Sequence, residues 1–188
     1  DDLKKYPGED KKGSIVYKFS PEGKVLLTLC KPGVRGNPPE ALTDPVDILT
    51  DPSNGDVYVS ESHTDVTDPN LVARISVFDK TGKFLRQWKP EGMASVHCLL
   101  VAKDGNVYVC NRQNSRIQVY DKMGNFKKNI ELPLSPITPR ADGKTKETGG
   151  AVVALAFSPD ERLLYVLNQN NSRIDIVERE TGKLVTSF

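Results

Sequence analysis

The 188-residue chain is poor in the residues that most often carry chemistry, with two histidines, three cysteines and one tryptophan. Its cysteines, Cys30, Cys98 and Cys110, are too few and too unevenly spaced for a disulfide framework. No stretch approaches the ~18 to 20 consecutive apolar residues of a membrane-spanning helix, so no transmembrane segment is expected. Charge of one sign is missing too. Lysine plus arginine number 26 against 25 acidic residues, a formal net charge of +1, and no basic excess points to nucleic acid. Gly-rich phosphate loops, Cys-x-x-Cys pairs and Gly-x-Ser-x-Gly elbows are all absent, which excludes the nucleotide, dithiol and hydrolase chemistry that depends on them. Nothing reads as a long amphipathic helix.

What the chain does have is repetition. Val57-Tyr58-Val59 leads to Ala73-Arg74-Ile75-Ser76-Val77-Phe78-Asp79, Val107-Tyr108-Val109 to Asn114-Ser115-Arg116-Ile117-Gln118-Val119-Tyr120-Asp121, and Leu164-Tyr165-Val166 to Asn171-Ser172-Arg173-Ile174-Asp175-Ile176-Val177. Tyr58 to Tyr108 is 50 residues and Tyr108 to Tyr165 is 57. Arg74 to Arg116 is only 42, because the copy around Tyr58 carries extra residues between its strands. Without insertions the unit is roughly 40 to 50 residues, the length of a propeller blade.

Each unit also has the chemistry of a four-stranded meander. An apolar first strand (46–50, 96–102, 152–157) ends in a turn: Pro52-Ser53-Asn54-Gly55, Lys103-Asp104-Gly105-Asn106 or Ser158-Pro159-Asp160-Glu161. A second strand rich in Val and Tyr follows. On the third, Ile117 and Val119 alternate with Gln118 and Tyr120, the period of a half-buried strand. Lys80-Thr81-Gly82, Lys122-Met123-Gly124 and Glu180-Thr181-Gly182 then turn the chain into a fourth strand.

The same template fits a half-unit at the front, where Phe19 aligns with Phe78 and Gly23 with Gly82. The expected fold is therefore all-β: a β-propeller with a half-blade at 13–30 and four-stranded blades at 44–92, 95–134 and 151–188. Fourteen strands fall short of the sixteen that four full blades need. Further blades or a partner chain are thus expected to close the ring. Asp1 is no start methionine and the chain ends on a strand, which favours part of a longer propeller.

Arg74, Arg116 and Arg173 recur in all three units and are expected to be structural, as are Tyr58, Tyr108, Tyr165, Phe78 and Tyr120, which read as packing between blades. Trp88 is expected to pack in the fourth strand of its blade. Cys98 and Cys110 fall on consecutive strands of one blade, where a disulfide and two small buried thiols both fit. Two loops, 31–43 and 133–150, are rich in Pro and Gly or polar residues. Such loops suit a ligand-facing role, and they also tolerate insertions without one.

The runs Asn111-Arg112-Gln113-Asn114-Ser115-Arg116-Ile117-Gln118-Val119-Tyr120-Asp121 and Asp104-Gly105-Asn106-Val107-Tyr108-Val109 resemble the NHL repeat, a blade of six-bladed propellers. The segment with Gly23-Lys24-Val25-Leu26-Leu27-Thr28-Leu29, Asp44-Pro45-Val46-Asp47 and Val57-Tyr58-Val59-Ser60-Glu61-Ser62-His63 resembles bacterial NHL proteins related to peptidyl-alpha-hydroxyglycine alpha-amidating lyase. That resemblance implies zinc held by histidines from alternate blades, each in a Pro-His motif at the head of an inner strand. It also implies an arginine and a tyrosine acting on the substrate.

Carried over, it makes His97 the candidate metal ligand, with Asp47 and Val153 at the matching positions of the neighbouring blades. One imidazole is short of the three or four ligands that zinc needs. Arg112 matches a channel-facing arginine and suits a carboxylate or peptide-like ligand; its counterpart in the next blade is Gln169. Where the family has tyrosine, this chain has His63, a possible general base without a phenol. Glu61 and Asp65 are candidate oxygen ligands beside it.

Two functions follow. One is a non-enzymatic binding or scaffold propeller, exported to the periplasm or outside the cell, with a protein, peptide or small ligand at its mouth. The other is a zinc-dependent lyase using His97, His63 and Arg112.

Overall fold

Strands form where the sequence repeat places them. The computed structural model describes residues 14–61, 73–93, 96–132 and 151–188, in two compact units divided between Pro90 and Glu91. In the first unit, β1 (Val16–Phe19) and β2 (Val25–Leu29) make an antiparallel pair. They are followed by β3 (Pro45–Thr50), β4 (Val57–Glu61), β5 (Arg74–Phe78) and β6 (Phe84–Trp88), a meander in the order β3-β4-β5-β6.

Leu29 of β2 and Leu42 of the following loop bury against Val59 and Phe78, with Val16, Leu27, Val57 and Phe84 packed around them. Burying each large aliphatic side chain stabilises by about 1.5–3 kcal/mol, so this small cluster fastens the two-stranded sheet to the four-stranded one. Gly82 permits the contact: its φ is +88°, and a Cβ there would stand 2.8 Å from Leu27 Cδ1.

The second unit holds two such meanders. β7 (Val96–Val101), β8 (Val107–Asn111), β9 (Arg116–Tyr120) and β10 (Phe126–Glu131) form one sheet, and β11 (Val152–Phe157), β12 (Leu163–Asn168), β13 (Arg173–Glu178) and β14 (Leu184–Ser187) the other. Their faces share a core in which Tyr108, Cys110, Ile117, Val119 and Ile130 meet Val152, Leu164, Val166 and Val177.

Arg179 pins the same two sheets. Its guanidinium lies 5.8 Å from the Tyr108 ring centre and 5.6 Å from that of Phe157, while Nη1 donates to Glu161 at 3.1 Å and Nη2 to Asp104. Tyr108 and Phe157 also meet edge to face at 5.3 Å, so this repeated tyrosine packs between sheets as expected. Tyr58 packs within its own sheet instead, 6.4 Å from Trp88.

Every inner strand opens with a bulge. Register slips between Pro45 and Asp47, between Val96 and Leu99, and between Val152 and Ala154. In the second sheet the slip sets both His97 and Cys98 opposite Cys110. That places Cys98 for a disulfide with Cys110, at a Cα–Cα distance of 5.0 Å, and settles the alternative left open by the sequence.

Candidate functional site

The head of β7 and the end of β8 build the site together. After Asn111 the chain leaves β8 in a short 3-10 turn, Arg112–Asn114, and Ser115, at φ +50°, swings it back into β9. The next sheet repeats the device with Gln169–Asn171 and Ser172. These turns project Arg112 and Gln169, the matched pair of the repeat, toward each other: Arg112 Nη2 donates to Gln169 Oε1 at 3.2 Å. Arg112 therefore begins the turn that follows the second strand of its sheet.

A cavity of about 460 Å3 lies here, lined by His97, Arg112, Val153, Leu167, Gln169 and Arg173 among others. The His97 Nδ1 atom is 3.0 Å from the Val153 carbonyl oxygen. A carbonyl can only accept, so Nδ1 carries the proton and donates, and the ring's lone pair lies on Nε2.

Strand pairing revises one set of equivalents. Leu49 pairs with Tyr58 and Leu100 with Tyr108, so His97 corresponds to Val46, and Asp47 to Cys98. The turn joining β3 to β4 is one residue longer than that joining β7 to β8, closing from Asp51 to Asp56 instead of from Ala102 to Asn106. Counting back from the tyrosines thus slips by one. Val153 keeps its place opposite His97 in the repeat, since Ala156 pairs with Tyr165. The sheets therefore present valine, histidine and valine at this position.

Glu61 is no metal ligand. It is fully buried, its Oε2 accepting from Arg74 Nε and Ser76 Oγ and its Oε1 from Arg74 Nη2 and the Thr43 amide, each at 2.7 Å. Arg74 reaches on to the Gly36 carbonyl at 2.7 Å and to Asn37, which ties loop 31–43 to the sheet. The structural role expected of the repeated arginines holds here and in Arg173, which pairs with buried Asp175 at 2.7 Å. Arg173 also lines the cavity, a second use that its recurrence concealed.

His63, Asp65 and loop 133–150 lie outside the described residues. Among the described residues, no three His, Cys, Asp or Glu side chains stand close enough to hold a metal ion. The resemblance implies zinc; the described residues offer it one imidazole, His97, beside disulfide-bonded Cys98, where three or four ligands are needed. Cys30, the free cysteine of the described residues, is no better: burial first, and then Glu61, pushes its thiol up to about 11.

No family model matches the chain. It is 31% identical over 117 residues to peptidyl-glycine alpha-amidating monooxygenase of Mus musculus, a match covering 56% of this chain and 11% of that protein. The chain thus spans about a tenth of the length of this curated relative. Among solved structures, virginiamycin B lyase from Staphylococcus aureus superposes with a TM-score of 0.61 at 17% identity, covering 95% of this chain and 49% of the other. The WD40 β-propeller domain of Doa1 gives 0.59 at 14% identity, covering 89% and 45%. The fold is that of a β-propeller. Its sequence is related to the amidating monooxygenase over little more than half the chain.

Proposed function

We propose that the chain is a binding module of the β-propeller class, which takes a peptide or other carboxylate-bearing ligand in the cavity lined by His97 and Arg112. The carrying observation is the setting of Arg112. Its guanidinium donates to a neutral amide and has no carboxylate partner among the described residues, so its charge remains available to an acidic group. The apolar wall of Val153 and Leu167 suits the body of such a ligand.

Titration with N-acetyl dipeptides, followed by amide chemical shifts, tests this. A charge-assisted hydrogen bond contributes ~1.5–3 kcal/mol, so Arg112→Ala is expected to weaken binding roughly tenfold to hundredfold. Binding that survives Arg112→Ala unchanged sinks the reading. Export to the periplasm or outside the cell belongs to the same proposal, supported by the Cys98–Cys110 disulfide. Closure of the ring by further blades or a partner chain belongs to it as well.

A metal-dependent lyase is the second reading, favoured by the relation to the amidating monooxygenase and by the carbonyl-anchored imidazole of His97. Stoichiometric zinc that disappears in His97→Ala, together with turnover of a hydroxyglycine peptide, would establish it over a binding-only role. His63 would then stand as the base and Arg112 as the substrate-binding residue. Neither zinc nor turnover leaves the binding module.

A further inference from the structure

Each four-stranded sheet places three polar positions at one end of its second and third strands. They are Glu61, Arg74 and Ser76 in the first sheet, Asn111, Arg116 and Gln118 in the second, and Asn168, Arg173 and Asp175 in the third. Glu61 answers Arg74 through both its oxygens. In the third sheet fully buried Asp175 pairs with Arg173 at 2.7 Å, and accepts from Asn168 Nδ2 at 2.9 Å and Ser187 Oγ at 2.6 Å. A buried carboxylate therefore faces the arginine in two sheets, and different strands provide it.

The second sheet has no such carboxylate. Arg116 is 26% exposed, and its acidic neighbour is Glu131, 63% exposed and 3.9 Å away. Asn111 is fully buried, yet neither its Oδ1 nor its Nδ2 makes a hydrogen bond, and Arg116 Nε makes none either. Gln118 is committed elsewhere, donating to the Glu91 carbonyl at 3.1 Å and accepting from Tyr120 Oη at 3.1 Å. A guanidinium and an amide are thus held together, both with donors unanswered, which is costly unless an acceptor joins them. Gly92, at φ +64°, lies beside the guanidinium: a Cβ there would make an ordinary contact with Arg116 Nη2 at 3.5 Å.

We propose that Arg116 and Asn111 form a seat for an external carboxylate, which takes the place that Glu61 and Asp175 occupy in the other sheets. Arg116 gives the charge and Asn111 Nδ2 the orienting donor, as Asn168 Nδ2 does for Asp175. The inference is independent of the cavity at Arg112.

Titrating the full chain with acetate tests it, with binding read from the side-chain signals of Asn111 and Arg116, which report this seat apart from the cavity at Arg112. Saturable millimolar binding is expected for the wild type. Asn111→Asp installs the missing carboxylate without changing shape, so it should abolish acetate binding and raise the melting temperature. Arg116→Gln should abolish binding with no rise in melting temperature. N-acetylglycine and its amide separate the two sources of a carboxylate: a seat for a chain terminus binds the acid more tightly than acetate and ignores the amide, whereas a seat for small free carboxylates binds both acids alike. Absence of saturable acetate binding overturns the proposal, as does acetate binding that persists at wild-type strength in both variants.

Discussion

Replacing Glu61 by glutamine should destabilise the first unit more than any exposed substitution. The side chain keeps its shape but loses its charge, and one oxygen becomes an NH2 group facing donors. Four hydrogen bonds of 2.7 Å converge on the carboxylate, from Arg74 Nε and Nη2, Ser76 Oγ and the Thr43 amide. The Arg74 and Glu61 side chains are 3% and 1% exposed, so solvent does not compensate. Breaking a buried pair of this kind costs ~3–5 kcal/mol, because the remaining charge is left uncompensated. At ~2–4 °C per kcal/mol for a chain of this size, the melting temperature should fall by roughly 6–20 °C. Trp88 is the chain's sole tryptophan and pairs with Ile75 beside Arg74, so its emission during urea unfolding reports on this unit. Glu61→Gln combined with Arg74→Met should cost far less than the sum of the two single changes. A loss below about 1 kcal/mol, or simple additivity, would refute the reasoning.

Removing the disulfide with Cys98→Ala and Cys110→Ala closes a question of loop entropy: with a sequence separation of 12, the loss should be about 3 kcal/mol, measured by urea denaturation with far-UV circular dichroism. Arg179→Ala should cost about 2 kcal/mol in the same assay, since it removes contact with both rings and with Glu161. Asp160 is held down at about 2, first by the Ser158 hydroxyl and then by the backbone and side chain of Arg162. Its folded value lies below the ordinary 3.8, so its contribution is present above about 4 and is lost as pH falls toward 2. Asp160→Asn should lower the melting temperature at pH 7, flatten the acid limb of its pH profile, and converge with the wild type as pH falls toward 2.

The sheets could be read from the sequence because strand periodicity and turn chemistry were written three times, and each copy checked the others. The arginines were legible for the same reason. What repetition could not reveal was anything dependent on one extra residue. The longer turn before β4 displaced Asp47 into the place of Val46, and the bulge at His97 and Cys98 decided whether Cys98 reached Cys110. Glu61 read as a candidate oxygen ligand because an insertion separates it from Arg74, its partner thirteen residues on. The cavity pairs Arg112 with Gln169, residues already matched by the repeat, but their contact depends on the packing of two blades, which a single-blade alignment does not contain.

The bulge at the head of each inner strand also bears on how such a molecule can change. A residue standing outside the one-to-one ladder can be exchanged without shifting the register of the strand behind it. Selection at that spot is uncoupled from selection on the sheet, so new chemistry can be tried blade by blade at little risk to folding. Val153→His, beside the imidazole already at position 97, would be the shortest such step.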